Sequence, residues 1–91
     1  MSEAPRLRVD VRDVACPLTW VRTRVALGRV SEGEAIEVLL LAGEPLESVP
    51  RTAAEEGHRV VLREPCPAAG EGAWRVVLCK GGAAEGNQLL P

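Results

Sequence analysis

The run from Ala35 to Ala42, AIEVLLLA, is apolar at every position except Glu37. Bounded by Gly33-Glu34 on one side and Gly43-Glu44-Pro45 on the other, it reads as a central β-strand covered on at least one face. It is far too short to span a bilayer. A buried central strand needs neighbouring strands and a covering layer, and 91 residues must supply both within one small domain.

The rest of the chain supplies them. Leu7, Val9 and Val11 alternate with Arg8, Asp10 and Arg12, which predicts a strand over about residues 6–12 with one buried face. From Pro17 the period lengthens: Trp20, Thr23, Leu27 and Val30, with Val21 and Val25 beside them, mark the inward side of an amphipathic helix. Ser31-Glu32-Gly33-Glu34 then turns the chain. A weaker helical pattern covers 46–56, with Leu46, Val49, Ala53 and Ala54 on one side and Pro50 expected near the first turn. Gly57 suits a left-handed cap, and His58 to Arg63 reads as a third strand. Pro65 to Gly72 is turn-rich, after which Trp74, Val76 and Leu78 alternate through a fourth strand. The order β-α-β-α-β-β predicts an α+β fold: a two-layer α/β sandwich with a four-stranded mixed sheet, two helices on one face and a final hairpin. The opposite face, bearing Arg8, Asp10, Arg12 and Arg75, is expected to be wet or used for contact. Gly81 to Pro91 carries little patterning and reads as a frayed tail.

Composition removes several functional classes. Eleven basic residues against 13 acidic ones leave a net charge of −2, which argues against binding nucleic acid through its phosphates. Phe and Tyr are absent and only Trp20 and Trp74 supply rings, so no base-stacking platform can be assembled. No stretch suits a membrane span, and the first residues lack the order of a secretory signal, so the expected compartment is the cytoplasm with reduced thiols. Cys16, Cys66 and Cys79 fit neither a disulfide framework nor a paired zinc motif, and no metal or cofactor is expected.

Chemistry concentrates between the first strand and the first helix. Pro17 suits the first helical position, where its missing N–H costs nothing, and this makes Cys16 the N-cap residue. Unpaired backbone N–H groups and the helix dipole favour an anion there, raising the thiolate fraction. Asp13 could oppose that effect, and Arg22 or Arg24 could reinforce it. The alternative is that Cys16 is a small, buried, inert cap.

The pattern Asp10-x5-Cys16-Pro17, followed by Arg22-Thr23-Arg24-Val25-Ala26-Leu27 and by Gly33-Glu34 before the apolar strand, resembles the TusA-like (SirA-like) sulfur carrier proteins. The resemblance runs over roughly residues 7–82, ending at Lys80-Gly81-Gly82, and implies a single TusA-like domain over 1–82 with 83–91 as a flexible tail. It also implies a β-α-β-α-β-β sandwich and a Cys-Pro-x-Pro motif, in which Cys16 carries persulfide sulfur between proteins. The motif here is Cys16-Pro17-Leu18-Thr19, with Thr19 in place of the second proline, and Asp13 stands where many members have glycine. The implied partners are a sulfur donor, a cysteine desulfurase or a rhodanese, and an acceptor protein. The implied activity is that of a sulfurtransferase-type carrier.

Other readings remain open on the residues alone. Cys66, in the hairpin loop, or Cys79 could resolve a Cys16 intermediate, although the hairpin loop is expected at the opposite or a lateral end from the first helix's start. His58 is read as a surface or strand-end packing residue rather than a base for Cys16. Trp20 is either core or a partner anchor. Against the sulfur carrier stand two other classes: a non-catalytic redox or protein-interaction module on the same fold, and an RNA-contacting domain suggested only by fold analogy.

Overall fold

The computed structural model describes residues 5–14 and 18–81. In chain order the elements are β1 (Leu7–Asp10), α1 (Leu18–Leu27), β2 (Ala35–Leu41), α2 (Glu44–Glu55), β3 (Arg59–Pro65), a 3-10 turn over Pro67–Ala69, and β4 (Ala73–Cys79). The strands form one mixed sheet in the order β1-β2-β4-β3. β1 and β2 are parallel, and β4 runs antiparallel to both β2 and β3. The last strand in sequence is thus an interior strand of the sheet.

Alternation along each strand separates the two faces. Ile36, Val38 and Leu40 of β2 and Val76 and Leu78 of β4 are fully buried beneath Ala26 and Leu27 of α1 and Leu46, Val49 and Ala53 of α2. Both helices therefore cover one face, as the pattern predicted. The core is aliphatic, with Trp20 and Trp74 half-buried at its margin.

The inward side of α1 matches expectation at Thr23 and Leu27 and differs at Val21 and Val25. Thr19, Thr23, Ala26 and Leu27 are buried, whereas Val21 and Val25 are 47% and 55% exposed. Apolar residues occupy two sides of this helix, so hydrophobicity alone did not mark which side faces the sheet. Small Thr23 and Ala26 let the helix lie close to the sheet, and the Thr23 hydroxyl is satisfied by donating to the Thr19 carbonyl at 2.8 Å.

α2 begins two residues earlier than the pattern suggested, because Pro45 rather than Pro50 occupies its first turn. Pro50 lies inside the helix and is buried, and Ala54 is exposed. The helix ends in a Schellman arrangement: the His58 N–H donates to the Ala53 carbonyl at 3.0 Å and the Gly57 N–H to Ala54 at 3.1 Å, with Gly57 at φ 95°. β3 extends to Pro65 and carries an irregularity between Val60 and Leu62 that turns Leu62 toward the uncovered face, opposite Val77.

That face is wet only in part. Glu37, on the interior strand β2, is 8% exposed and lies between two arginines: Arg8 Nε at 3.6 Å and Arg75 Nε at 3.1 Å. Arg75 also meets Glu64 through Nη1 at 3.0 Å. The charges alternate across β1, β2, β4 and β3 as a single ladder, and Leu39 and Val77 are buried beside it.

Candidate functional site

Because β1 and β2 are parallel and β4 returns antiparallel, β1 ends, β2 ends and the β3–β4 hairpin turns at one edge of the sheet. The segment that joins β1 to α1 starts there. This corrects the expectation that the hairpin loop lies away from the start of the first helix. The topology requires the closeness: three parallel strands followed by a hairpin put that hairpin at their carboxyl ends.

Arg12 ties the two loops together. Its Nε and Nη2 donate to the Asp10 carboxylate at 2.8 and 2.6 Å, and Nη1 donates to the Ala69 carbonyl of the hairpin turn. The Asp10 carboxylate also accepts the Arg12 backbone N–H at 3.1 Å, an Asx-type turn that ends the strand two residues before its expected limit. Hydrogen bonds from Arg12 hold the Asp10 carboxyl down at about 2. Val11 is buried behind this turn, Val14 packs against the core, and Asp13 is exposed. The sequence marked Arg12 as one of several surface charges. The signal that could have singled it out is the Asp10-x-Arg12 spacing at a strand end.

Cys16 and Pro17 lie outside the described residues. Of the other candidate residues, Leu18 opens α1 and is 51% exposed, Thr19 is buried, and Arg22 and Arg24 are exposed on α1. The first turn of α1 carries no acidic residue, so within the helix nothing offsets the positive end of its dipole. The Thr19 hydroxyl, 1% exposed at the residue level, has no hydrogen-bond partner among the described residues.

Cys66, whose place between Pro65 and Pro67 in the hairpin loop suggests exposure, is instead half-buried, and it lines a cavity of about 340 Å³ on the uncovered face together with Arg8, Arg12, Leu39 and Ala69. Cys79 is half-buried on β4, its side chain on the face opposite Trp74, Val76 and Leu78. His58 is at the start of β3, the far end of the sheet, where Nδ1 accepts the Gly81 N–H at 3.1 Å. This is the strand-end role expected of it. Burial pushes its pKa down.

The two-layer sandwich has known counterparts. A solved SirA-like protein from Desulfitobacterium hafniense superposes with a TM-score of 0.69 over 82% of this chain and 97% of that one, at 18% identity, a likeness of fold. The family model described as sulfurtransferase TusA matches residues 7–80, and the chain belongs to that family. A protein of Archaeoglobus fulgidus named "Putative sulfur carrier protein" is 31% identical over 72 residues, which is 79% of this chain and 78% of that protein. The Escherichia coli protein named "Putative sulfur carrier protein TsuB" is 26% identical over 73 residues, 80% of this chain and 93% of its own length.

Proposed function

We propose that this protein is a sulfur carrier that holds sulfur as a persulfide on Cys16 and passes it from one protein to another. The observation that carries the reading is the family match over residues 7–80, which spans Cys16 and includes every described strand and helix. The topology adds support, since the segment containing Cys16 joins a strand's carboxyl end to an α1 first turn free of carboxylates.

The chemistry needs one nucleophilic sulfur. The Cys16 thiolate attacks the outer sulfur of a donor persulfide. A new S–S bond forms to Cys16 as the donor's inner S–S bond breaks, and the donor leaves as a thiolate. An acceptor nucleophile then takes the outer sulfur in the same manner and regenerates the Cys16 thiolate. No net oxidation or reduction occurs in the relay between thiols. In this reading Pro17, Leu18 and Thr19 follow the sulfur-bearing residue as the start of the first helix, whose dipole favours the anionic forms of thiol and persulfide, and Asp13, Arg22 and Arg24 modulate that field. The donor is of cysteine desulfurase or rhodanese type, and the relay operates in the cytoplasm. Among the described residues no helix is long and apolar enough to cross a membrane.

Mass spectrometry after incubation with cysteine and a cysteine desulfurase tests the reading. The expected product gains about 32 Da, one sulfur atom, on Cys16. Cys16→Ser gains nothing there. Failure of the wild type to accept sulfur from either a desulfurase or a small persulfide would overturn the proposal.

A further inference from the structure

β1 is an edge strand, and its outer side has no strand partner among the described residues. In a parallel ladder alternate residues turn both backbone groups toward the neighbour. The Val11 N–H donates to the Leu39 carbonyl on β2 at 2.9 Å, so by alternation Leu7 and Val9 turn their backbone groups to β2, while Arg8 and Asp10 direct their backbone N–H and C=O outward. Alongside this edge runs α1, which exposes Leu18, Val21 and Val25, an apolar stripe at spacings of three and four. Between strand and helix lies a groove of about 540 Å³, its floor formed by Leu7, Val9, Val21, Val25 and Ala26.

The rim is basic. Arg8, Arg22 and Arg29 border the groove against a single carboxylate, Asp10, whose charge is already matched by Arg12. Arg22 and Arg29 form no salt bridge among the described residues, while the ion pairs of the sheet's other face engage Arg8 and Arg75. An unpaired strand edge beside an apolar helix stripe is the arrangement that accepts an added strand, with backbone bonds on one side and side-chain pockets on the other. One end of the groove lies at Asp10, the last residue of β1, from which the chain continues toward the segment containing Cys16.

We propose that this groove receives an extended, acidic segment of the sulfur-donating protein. The segment pairs with the outer edge of β1, sets its apolar side chains against Val21 and Val25, and places its carboxylates against Arg22 and Arg29. A donor strand laid in this way runs toward the Cys16 segment, so docking also directs the incoming persulfide. The proposal rests on the sulfur-carrier reading and names the surface and the partner chemistry that reading leaves open.

Two donors separate the two ideas. Loading of Cys16 is followed from the persulfidated cysteine desulfurase of the same organism and, in parallel, from glutathione persulfide, which needs no docking surface. Val25→Asp and Arg29→Glu both alter exposed positions, so the fold is retained and is checked by circular dichroism. Each is expected to slow uptake from the desulfurase at subsaturating concentration by about tenfold or more, the penalty of a mismatched charge at an interface. Uptake from glutathione persulfide is expected to stay at the wild-type rate. Added desulfurase is expected to protect the Arg8 and Asp10 amides from hydrogen exchange, a readout that helix contact without strand pairing would leave unmoved.

Wild-type uptake from the desulfurase in both variants overturns the groove assignment. So does equal slowing from both donors, which would make the side chains act on the thiol itself. Transfer to an acceptor slowed with uptake unchanged, or a variant-dependent change in oligomeric state, assigns the groove to another occupant and likewise overturns it. No loading of the wild type from either donor refutes the carrier reading instead.

Discussion

Thr19 stands where the resemblance places a second motif proline, and it is the one described residue with a buried polar side-chain atom left unpaired. A desolvated hydroxyl without a partner costs about 1–3 kcal/mol. Thr19→Val keeps the shape and removes the hydroxyl, so it is expected to raise unfolding stability by about 1 kcal/mol. Chemical denaturation checks this, and an unchanged or lowered midpoint would show that the hydroxyl finds a partner in solution. At this scale the sequence was informative about residue types and less so about orientation. Cys16, Pro17 and their neighbours stood out through cap and proline chemistry, which is local. The inward role of Thr23 was legible from its place in the helical period, whereas that of Thr19 was not, because a polar residue one position before Trp20 looks like a surface residue until its burial is known.

Among the elements, β2 was the most legible because a nearly unbroken apolar run of that length has few alternatives to a covered strand. The exception within it, Glu37, has two arginines supplied by β1 and β4, strands remote in sequence. A carboxylate so nearly buried is held by both partners together. Removing it with Glu37→Ala leaves Arg75 half-buried beside Leu39 and Val77 with only Glu64 to meet it, and is expected to cost about 1–3 kcal/mol. Thermal unfolding reads the loss. A value near zero would class the ladder with exposed pairs of little worth. The sides of α1 were harder to read for a different reason. Val21 and Val25 are as apolar as the core residues, so hydrophobic period could not separate a face packed on the sheet from a face left for a partner.

For the molecule as a whole, two groups among the described residues bear on how stability changes in acid. His58 is pushed below its ordinary value of 6.5, chiefly by burial, with nearby Lys80 acting the same way and Glu56 against it. The folded state therefore binds its proton more weakly than the unfolded state. Stability from this group is complete above pH 6.5 and is lost as pH falls through the lowered folded value. Protonation of Nδ1 would also end its acceptance of the Gly81 N–H. Asp10, held at about 2 against 3.8, adds a second loss as pH falls from near 4 toward 2, modest because the pair with Arg12 is open to solvent. Unfolding midpoints across pH are expected to decline first below about 6.5, and His58→Asn, which keeps an acceptor without the titration, is expected to remove that first decline alone. A first decline unchanged in the variant would assign it to other groups.

The same scale shows why sequence reading delivered the architecture and misplaced one loop. Layer order followed from periodicity, whereas the end of the sheet occupied by the hairpin depends on which strands run parallel, a property of pairings remote in sequence. Those pairings also set a schedule for folding on the ribosome. β4, made last, is the strand that joins β2 to β3, so an emerging chain that stops short of Ala73 has only the β1–β2 pair and an orphaned β3. The sheet closes in one late step when residues 73–79 clear the exit tunnel. Until then β3 and the inner edge of β2 are the surfaces a chaperone would find, and a nonsense mutation anywhere before Trp74 removes the strand that holds the sheet together.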